Sequence, residues 1–154
     1  MIRRVLLLIT VLLLPLMLAA QQAPATTSAS ASPAVEFDER TAAKVLNTLR
    51  DGLEARSARR LLSAFDDSKM EGYLAFEDQI EAYFSNYEGL RVSMRILATS
   101  EQNGQGIVIA DFRIEGEPRG GGRIVQRQAQ LRFVLEPTAK GWRIVDLDPR
   151  GFFS

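Results

Sequence analysis

The sequence predicts an α+β fold in which three N-terminal helices pack on one face of a curved four-stranded antiparallel sheet. Apolar residues recur at three-to-four spacing up to about residue 86, as they do on amphipathic helices. After Gly89 the period falls to two, which is typical of half-buried strands. Helices and strands that are segregated along a chain indicate an α+β domain. If the sheet is strongly curved, the helices close over its concave face and leave a cone with a pocket at the wide end.

An export signal is predicted before this domain. Arg3 and Arg4 precede an apolar run over residues 5–18, and Ala19 and Ala20 follow it, which is the layout of a signal peptide over residues 1–20. The run is shorter than the roughly 20 residues that span a bilayer, so we expect cleavage. If the segment were retained, the chain would instead be a membrane-tethered envelope-assembly module.

A linker and one domain are predicted after the signal. Residues 21–34 are rich in Gln, Ala, Pro, Ser and Thr and carry no charge, a composition that indicates a disordered linker. Residues 35–154 then form a single domain. The expected location is the periplasm or the outside of a bacterial cell.

Composition excludes several kinds of chemistry. The chain contains no histidine and no cysteine, which removes imidazole bases, thiolate nucleophiles, disulfides and His/Cys metal sites. We therefore expect neither a metal nor a cofactor. Basic and acidic residues number 19 each, and two of the basic ones lie in the signal. A nearly neutral domain has no general attraction for nucleic acid or anionic lipid. The expected partner is a small apolar ligand or an envelope protein.

Three helices are predicted first. Asp38 is placed to cap a helix that runs to about Arg56, and Ser57 to cap a short second helix. A third helix is predicted from about Ala75 to Asn86. The apolar stripe of the first helix consists of Ala42, Val45, Leu46, Leu49 and Leu53, and the second helix turns Leu61, Leu62 and Phe65 inward.

Four strands then follow in a meander. They are predicted at about residues 90–98, 107–115, 123–136 and 142–147, with turns at 102–106 and 137–141, a Gly-rich loop at 116–122, and Pro149 as the stop. Alternation places one set of apolar side chains of the second strand on a single face, namely Val108, Ala110, Phe112 and Ile114.

Three segments resemble the nuclear transport factor 2-like superfamily, which includes ketosteroid isomerase and polyketide cyclase branches. They are Leu61-Leu62-Ser63-Ala64-Phe65-Asp66-Asp67, the aromatic helix from Phe76 to Phe84, and the closing segment from Gly141 to Pro149. The resemblance spans roughly residues 38–149. It implies a cone-shaped domain whose interior often holds a small apolar ligand and which often dimerises through the outer face of its sheet.

The catalytic residues of the two branches are not matched. The isomerase branch uses a carboxylate base with a tyrosine and a protonated acid as donors. The resemblance implies that the base lies five residues after Asp67, where this chain has Gly72, with Glu71 one residue earlier. The predicted first helix contains no tyrosine, and the histidine that polyketide cyclase relatives usually employ is absent.

The sequence therefore predicts an exported, non-catalytic domain that binds a small ligand or a protein. The alternative is a small pocket enzyme of isomerase, cyclase or dehydratase type, with Glu71 or Asp66 as base and Tyr73 or Tyr83 as oxyanion donor. The pair Asp66-Asp67 is also typical of a structural turn, and Glu71 of a solvated loop carboxylate.

A ligand cavity would be lined by aromatic side chains and one arginine. Arg127 falls on the same predicted face as Ala129 and Leu131, so it needs a carboxylate or an anion, unless a bulge redirects it or the sheet is uncovered there. The aromatic set could equally be ordinary core. The predicted lining residues are Tyr73, Phe76, Tyr83, Phe84, Tyr87, Arg127 and Trp142.

The outer face of the sheet is predicted to be mixed in polarity. In the third strand it carries Ile124, Gln126, Gln128, Gln130, Arg132 and Val134. Such a surface is either a homodimer interface or exposed sheet.

Overall fold

The computed structural model describes residues 36–154, and the predicted signal peptide and the predicted linker lie outside the described residues. The elements are α1 (Glu39–Glu54), α2 (Ala58–Leu62), α3 (Tyr73–Asn86), β1 (Tyr87–Gln102), β2 (Gln105–Pro118), β3 (Val125–Thr138), β4 (Gly141–Asp148) and a 3₁₀ turn at Arg150–Phe153, which we call the C-terminal turn. The predicted order of three helices and four strands is confirmed.

The caps of the first two helices are where the sequence places them. Asp38 accepts a hydrogen bond from the backbone N–H of Thr41 at 2.7 Å, and Ser57 accepts one from that of Arg60 at 3.3 Å. These bonds satisfy amides that lack a partner within the helix. The predicted stripe of α1 is buried, and its members are Ala42, Val45, Leu46, Leu49 and Leu53.

Helices α1 and α2 meet at a glycine. A Cβ atom on Gly52 would lie 2.4 Å from the backbone nitrogen of Leu61, so only glycine permits this approach. The close contact allows α2 to fold back on α1 after a turn of a few residues. It also leaves the side chains of Leu61 and Leu62 buried in the core.

The sheet is a simple antiparallel meander in the order β1-β2-β3-β4. Strand β1 begins at Tyr87, directly after α3 and three residues before Leu90, where the change of period predicts its start. Asn103 and Gly104 both have positive φ, 54° and 77°, and form the predicted hairpin turn between β1 and β2. Register shifts interrupt β1 between Ile96 and Ala98, and β4 between its pairings at Ile144 and Asp146.

One face of the sheet is apolar and covered. Val108, Ala110, Phe112 and Ile114 are at most 1% exposed, as the alternation predicts. Leu131, Phe133 and Leu135 of β3 are fully buried on the same face. The other face is mixed in polarity: it carries Ile107 and Ile109, and its salt bridges include Arg95–Asp111 at 2.9 Å and Arg113–Glu115 at 2.7 Å. The fold is therefore α+β, with the helices on one side of one sheet.

Strand β4 ends directly before Pro149, as predicted, and the fold continues beyond it. After Pro149 the C-terminal turn carries Phe152 and Phe153, which are 7% and 0% exposed. Both are part of the hydrophobic core. None of the helices among residues 36–154 is long and apolar enough to cross a membrane.

Candidate functional site

The wide end of the cone lies between α3 and the covered face of the sheet. Phe112 of β2 and Phe133 of β3 are fully buried, with ring centroids 5.6 Å apart. Across from them, α3 turns Phe76 and Tyr83 inward, each 3% exposed. A small ligand of a cone-shaped domain would lie between these two sets of rings.

The C-terminal turn occupies this space. The Phe152 ring lies 6.4 Å from that of Phe112, and the Phe153 ring lies 6.1 Å from Phe76 and 6.2 Å from Tyr83. Two aromatic side chains of the same chain therefore pack between the rings of α3 and those of the sheet. The sequence did carry a signal, because a Phe-Phe pair at an otherwise polar terminus needs a place to be buried.

Arg127 faces the interior, as strict alternation predicts. Its pairing with Ile114 lies in an unbroken register between β2 and β3, so no bulge redirects it. The guanidinium donates a hydrogen bond from Nη1 to the backbone oxygen of Phe152 at 3.1 Å, and its Cζ lies 5.7 Å from the centre of the Tyr83 ring. Among the described residues no salt bridge includes Arg127, so its hydrogen-bond partner is a neutral carbonyl and not a carboxylate.

Tyr83 is a neutral phenol in this environment. Burial is the main cause that raises its pKa to about 12; the neighbouring Tyr87 raises it further and Arg127 opposes the shift. The Tyr83 and Tyr87 rings lie 4.8 Å apart. At neutral pH Tyr83 therefore remains protonated and can donate a hydrogen bond.

Three other predicted lining residues lie in the core. Phe84 packs against Tyr83 at 6.5 Å, and its backbone oxygen accepts a hydrogen bond from Arg56 at 2.9 Å. The Tyr87 ring packs over Gly116, where a Cβ atom would come within 2.5 Å of it. The Trp142 ring contacts that of Phe37, at 4.7 Å.

Trp142 also borders a cavity of about 370 Å³ between α1 and β4. That cavity is lined by none of Phe76, Tyr83 and Arg127. The structure thus brings Phe76, Tyr83 and Arg127 together around the C-terminal turn, while Trp142 faces a different surface.

A second site is an open groove of about 700 Å³ on the outside of the helices, which we call the outer groove. It is lined by α2 and the segment that follows it, by one side of α3 and by the turn between β3 and β4. Its charged lining residues are Arg59, Asp66, Asp67, Glu77, Glu81, Lys140 and Arg143.

Two of the catalytic candidates line the outer groove. Asp66 accepts hydrogen bonds from the Ser68 hydroxyl at 2.6 Å and from the Ser68 backbone N–H at 3.0 Å, and these bonds lower the pKa of Asp66. The pKa of Tyr73 is raised, mainly by burial and then by Glu77 and Asp67. Asp66 is therefore an ionised residue that stabilises its turn.

The candidates do not form one constellation. Glu71 is exposed, and it contacts the C-terminal turn through its backbone oxygen, which accepts a hydrogen bond from Arg150 at 2.6 Å. Asp66 and Tyr73 line the outer groove, whereas Tyr83 does not. Among residues 36–154 no group of three or more carboxylates could hold a metal ion.

Comparisons with known proteins define the fold. No family model matches the chain, and no curated protein matches it. Among solved structures, a nuclear transport factor 2-like superfamily protein from Salmonella enterica serovar Typhimurium superposes with a TM-score of 0.64 at 10% identity, over 70% of this chain and 86% of that one. A conserved protein from Planctomyces limnophilus superposes with a TM-score of 0.64 at 14% identity, over 71% and 92%.

An enzyme is also among the similar structures. A hexachlorocyclohexane dehydrochlorinase superposes with a TM-score of 0.56 at 16% identity, over 70% of this chain and 80% of that one. Identities this low are informative about architecture alone. The chain has the nuclear transport factor 2-like fold, which confirms the resemblance drawn from its sequence.

Proposed function

We propose that this chain is an exported, non-catalytic domain that uses the nuclear transport factor 2-like cone to bind a small apolar ligand. One observation carries the proposal. The apolar interior has a polar end, Arg127, but the carboxylates Asp66 and Glu71 stand outside it. A proton-transfer enzyme of isomerase or dehydratase type needs a base within hydrogen-bond reach of its substrate. The interior therefore favours binding over turnover.

The enzyme alternative retains one favourable feature. Tyr83 is a buried, neutral phenol beside a cation, which suits an oxyanion donor. It lacks a partner base in the same cavity, because Asp66 lines the outer groove and the side chain of Glu71 is exposed. This separation favours the binding domain.

Simultaneous measurement of binding and turnover tests the proposal. The full-length chain is incubated with a panel of aromatic and steroidal ketones, and thermal shifts and product formation are recorded together. We expect stabilisation by some compounds and conversion of none. Conversion that disappears in Tyr83→Phe, or in a Glu71→Gln/Asp66→Asn double variant, would establish the enzyme instead.

Export is proposed from the N-terminal sequence. We expect the protein recovered from the periplasm or medium to have the intact mass of a chain that begins at Gln21. A mass that includes residues 1–20 would favour the membrane-tethered envelope module.

A homodimer through the outer face of the sheet is also proposed. Val134 on this face is only 7% exposed, whereas Gln126, Gln128 and Gln130 are exposed in the single chain. Light scattering of the protein as it elutes from a size-exclusion column tests this proposal. We expect a dimer that Gln128→Glu weakens, and a monomer at all concentrations would contradict it.

A further inference from the structure

The aromatic part of the C-terminal turn has the shape of a bound ligand. Phe152 and Phe153 lie edge to face, with ring centroids 5.1 Å apart and planes at 80°. Each ring touches the walls of the cone, Phe152 at Phe112 and Phe153 at Phe76 and Tyr83. The segment therefore fills a volume of about two aromatic rings at the place where a cone-shaped domain opens.

The polar part of the turn is held as a ligand would be held. The Phe152 carbonyl accepts a hydrogen bond from Arg127, which is half-buried and lies beside the Tyr83 ring. A guanidinium binds carboxylates in preference to neutral carbonyls, because charge-assisted hydrogen bonds are roughly twice as strong as neutral ones. The carbonyl thus satisfies Arg127 less well than an anion would.

The turn is attached at the rim by replaceable contacts. Arg150 donates to the Glu71 backbone oxygen at 2.6 Å and to Asp146 at 2.7 Å. Gln79 donates to the Arg150 backbone oxygen at 3.0 Å and to the Ser154 hydroxyl at 2.9 Å. These partners are exposed or partly exposed, so water can replace them when the turn opens locally.

We propose that the C-terminal turn is an internal stand-in for a small aromatic carboxylate, which displaces the turn and binds Arg127 through its carboxylate. The rings of the ligand take the places of the Phe152 and Phe153 rings, and its carboxylate takes the place of the Phe152 carbonyl. This inference rests on the proposed function and adds the class of ligand and the segment that competes with it.

The decisive probe is naphthoate, with naphthylmethanol as its neutral counterpart. Calorimetry on the full-length chain measures the affinity for both. Binding requires the open state, so the apparent affinity scales with the open fraction. We expect a Gln79→Ala/Arg150→Ala double variant, which keeps every ring of the core, to bind naphthoate about tenfold more tightly than the unaltered chain. An unchanged affinity in the folded variant would overturn the inference.

The charge preference is tested separately. The unaltered chain should bind naphthoate at least about tenfold more tightly than naphthylmethanol, because only the acid forms a charge-assisted bond. Arg127→Gln should abolish that difference, whereas Arg132→Gln, on the outer face, should preserve it. Equal affinity for the two probes in the unaltered chain would contradict a site at Arg127.

Nuclear magnetic resonance of the unaltered chain gives a readout that needs no variant. Saturating naphthoate should move the amide resonances of Arg150–Phe153 to positions of an unfolded chain end and perturb Arg127. Perturbations confined to the outer groove would overturn the inference. If a neutral ketone binds in the cone while the turn stays in place, the binding function stands and the inference fails.

Discussion

The interior of the cone and the outer groove divide the chemistry of this domain between them. The interior holds apolar rings, one buried phenol and one guanidinium. The outer groove holds the acidic residues, including Asp66 and Glu77, opposite basic ones such as Lys140. Proton-transfer catalysis needs a carboxylate from the second set at the place of the first. The two sets of groups lie in different parts of the domain, and this separation is what the proposed binding function rests on.

The two regions also stabilise the domain in different ways. In the interior, side chains with almost no exposure contribute through burial, at roughly 1.5–3 kcal/mol for each large apolar group. Outside the core, exposed ion pairs such as Lys69–Glu136, at 2.6 Å, contribute little because solvent screens them. Substitutions should therefore have large effects inside and small effects outside.

The largest effect is expected at Phe153. Because this side chain is fully buried against Phe76, Tyr83 and Phe152, Phe153→Ala should lower the free energy of unfolding by about 3–5 kcal/mol in urea denaturation. Leu74→Ala is the matched control, since Leu74 is 74% exposed, and it should change the value by less than about 0.5 kcal/mol. Similar values for both variants would show that the turn is not part of the core.

A pH effect should come from the interior at alkaline pH. The folded pKa of Tyr83, about 12, lies above the ordinary value of 10.0, so its contribution is complete below pH 10 and is lost as the pH rises toward 12. Over this alkaline range the free energy of unfolding of Tyr83→Phe should therefore fall by about 2 kcal/mol less than that of the unaltered chain. The measurement is urea denaturation between pH 7 and roughly pH 11.5. Tyr73→Phe serves as the control at the outer groove, and an equal effect there would undo the contrast.

Arg127 should have an intermediate effect. Arg127→Met removes the hydrogen bond to the Phe152 carbonyl and the contact with the Tyr83 ring, and we expect a loss of about 1–2 kcal/mol in urea denaturation. Arg132→Met on the outer face should be close to neutral. No loss in Arg127→Met would indicate that the C-terminal turn is held by its rings alone.

The smallest effects are expected in the outer groove. The pKa of Asp66 is lowered by Ser68, so its contribution is present at pH 7 and is lost as the pH falls below about 4. Asp66→Asn should lower the free energy of unfolding by less than about 1 kcal/mol at pH 7. It should also make that free energy depend less steeply on pH under acidic conditions. A loss above about 2 kcal/mol would mean that Asp66 has a buried role that its geometry does not show.

The helices and the faces of the strands were predictable because they follow local rules. The caps at Asp38 and Ser57, the stripe of α1 and the inward face of β2 all come from short-range periodicity and capping chemistry. The inward direction of Arg127 followed from the same alternation. Its partner could not be predicted, because the Phe152 carbonyl lies 25 positions away in sequence.

The occupant of the cone was missed for a physical reason. Pro149 correctly marks the end of β4, but a proline that ends a strand does not prevent the chain from folding back. The burial of Phe152 and Phe153 depends on a cavity that is formed by α3 and by three strands. Such a cavity is a tertiary property, and no short sequence pattern carries it.

The most direct measurement is the set of nuclear Overhauser contacts of the C-terminal rings in the full-length chain. Ring protons of Phe152 should show contacts to Phe112, and those of Phe153 should show contacts to Phe76 and Tyr83. Sharp resonances at unfolded positions, without these contacts, would contradict a cone that is filled by its own C-terminus.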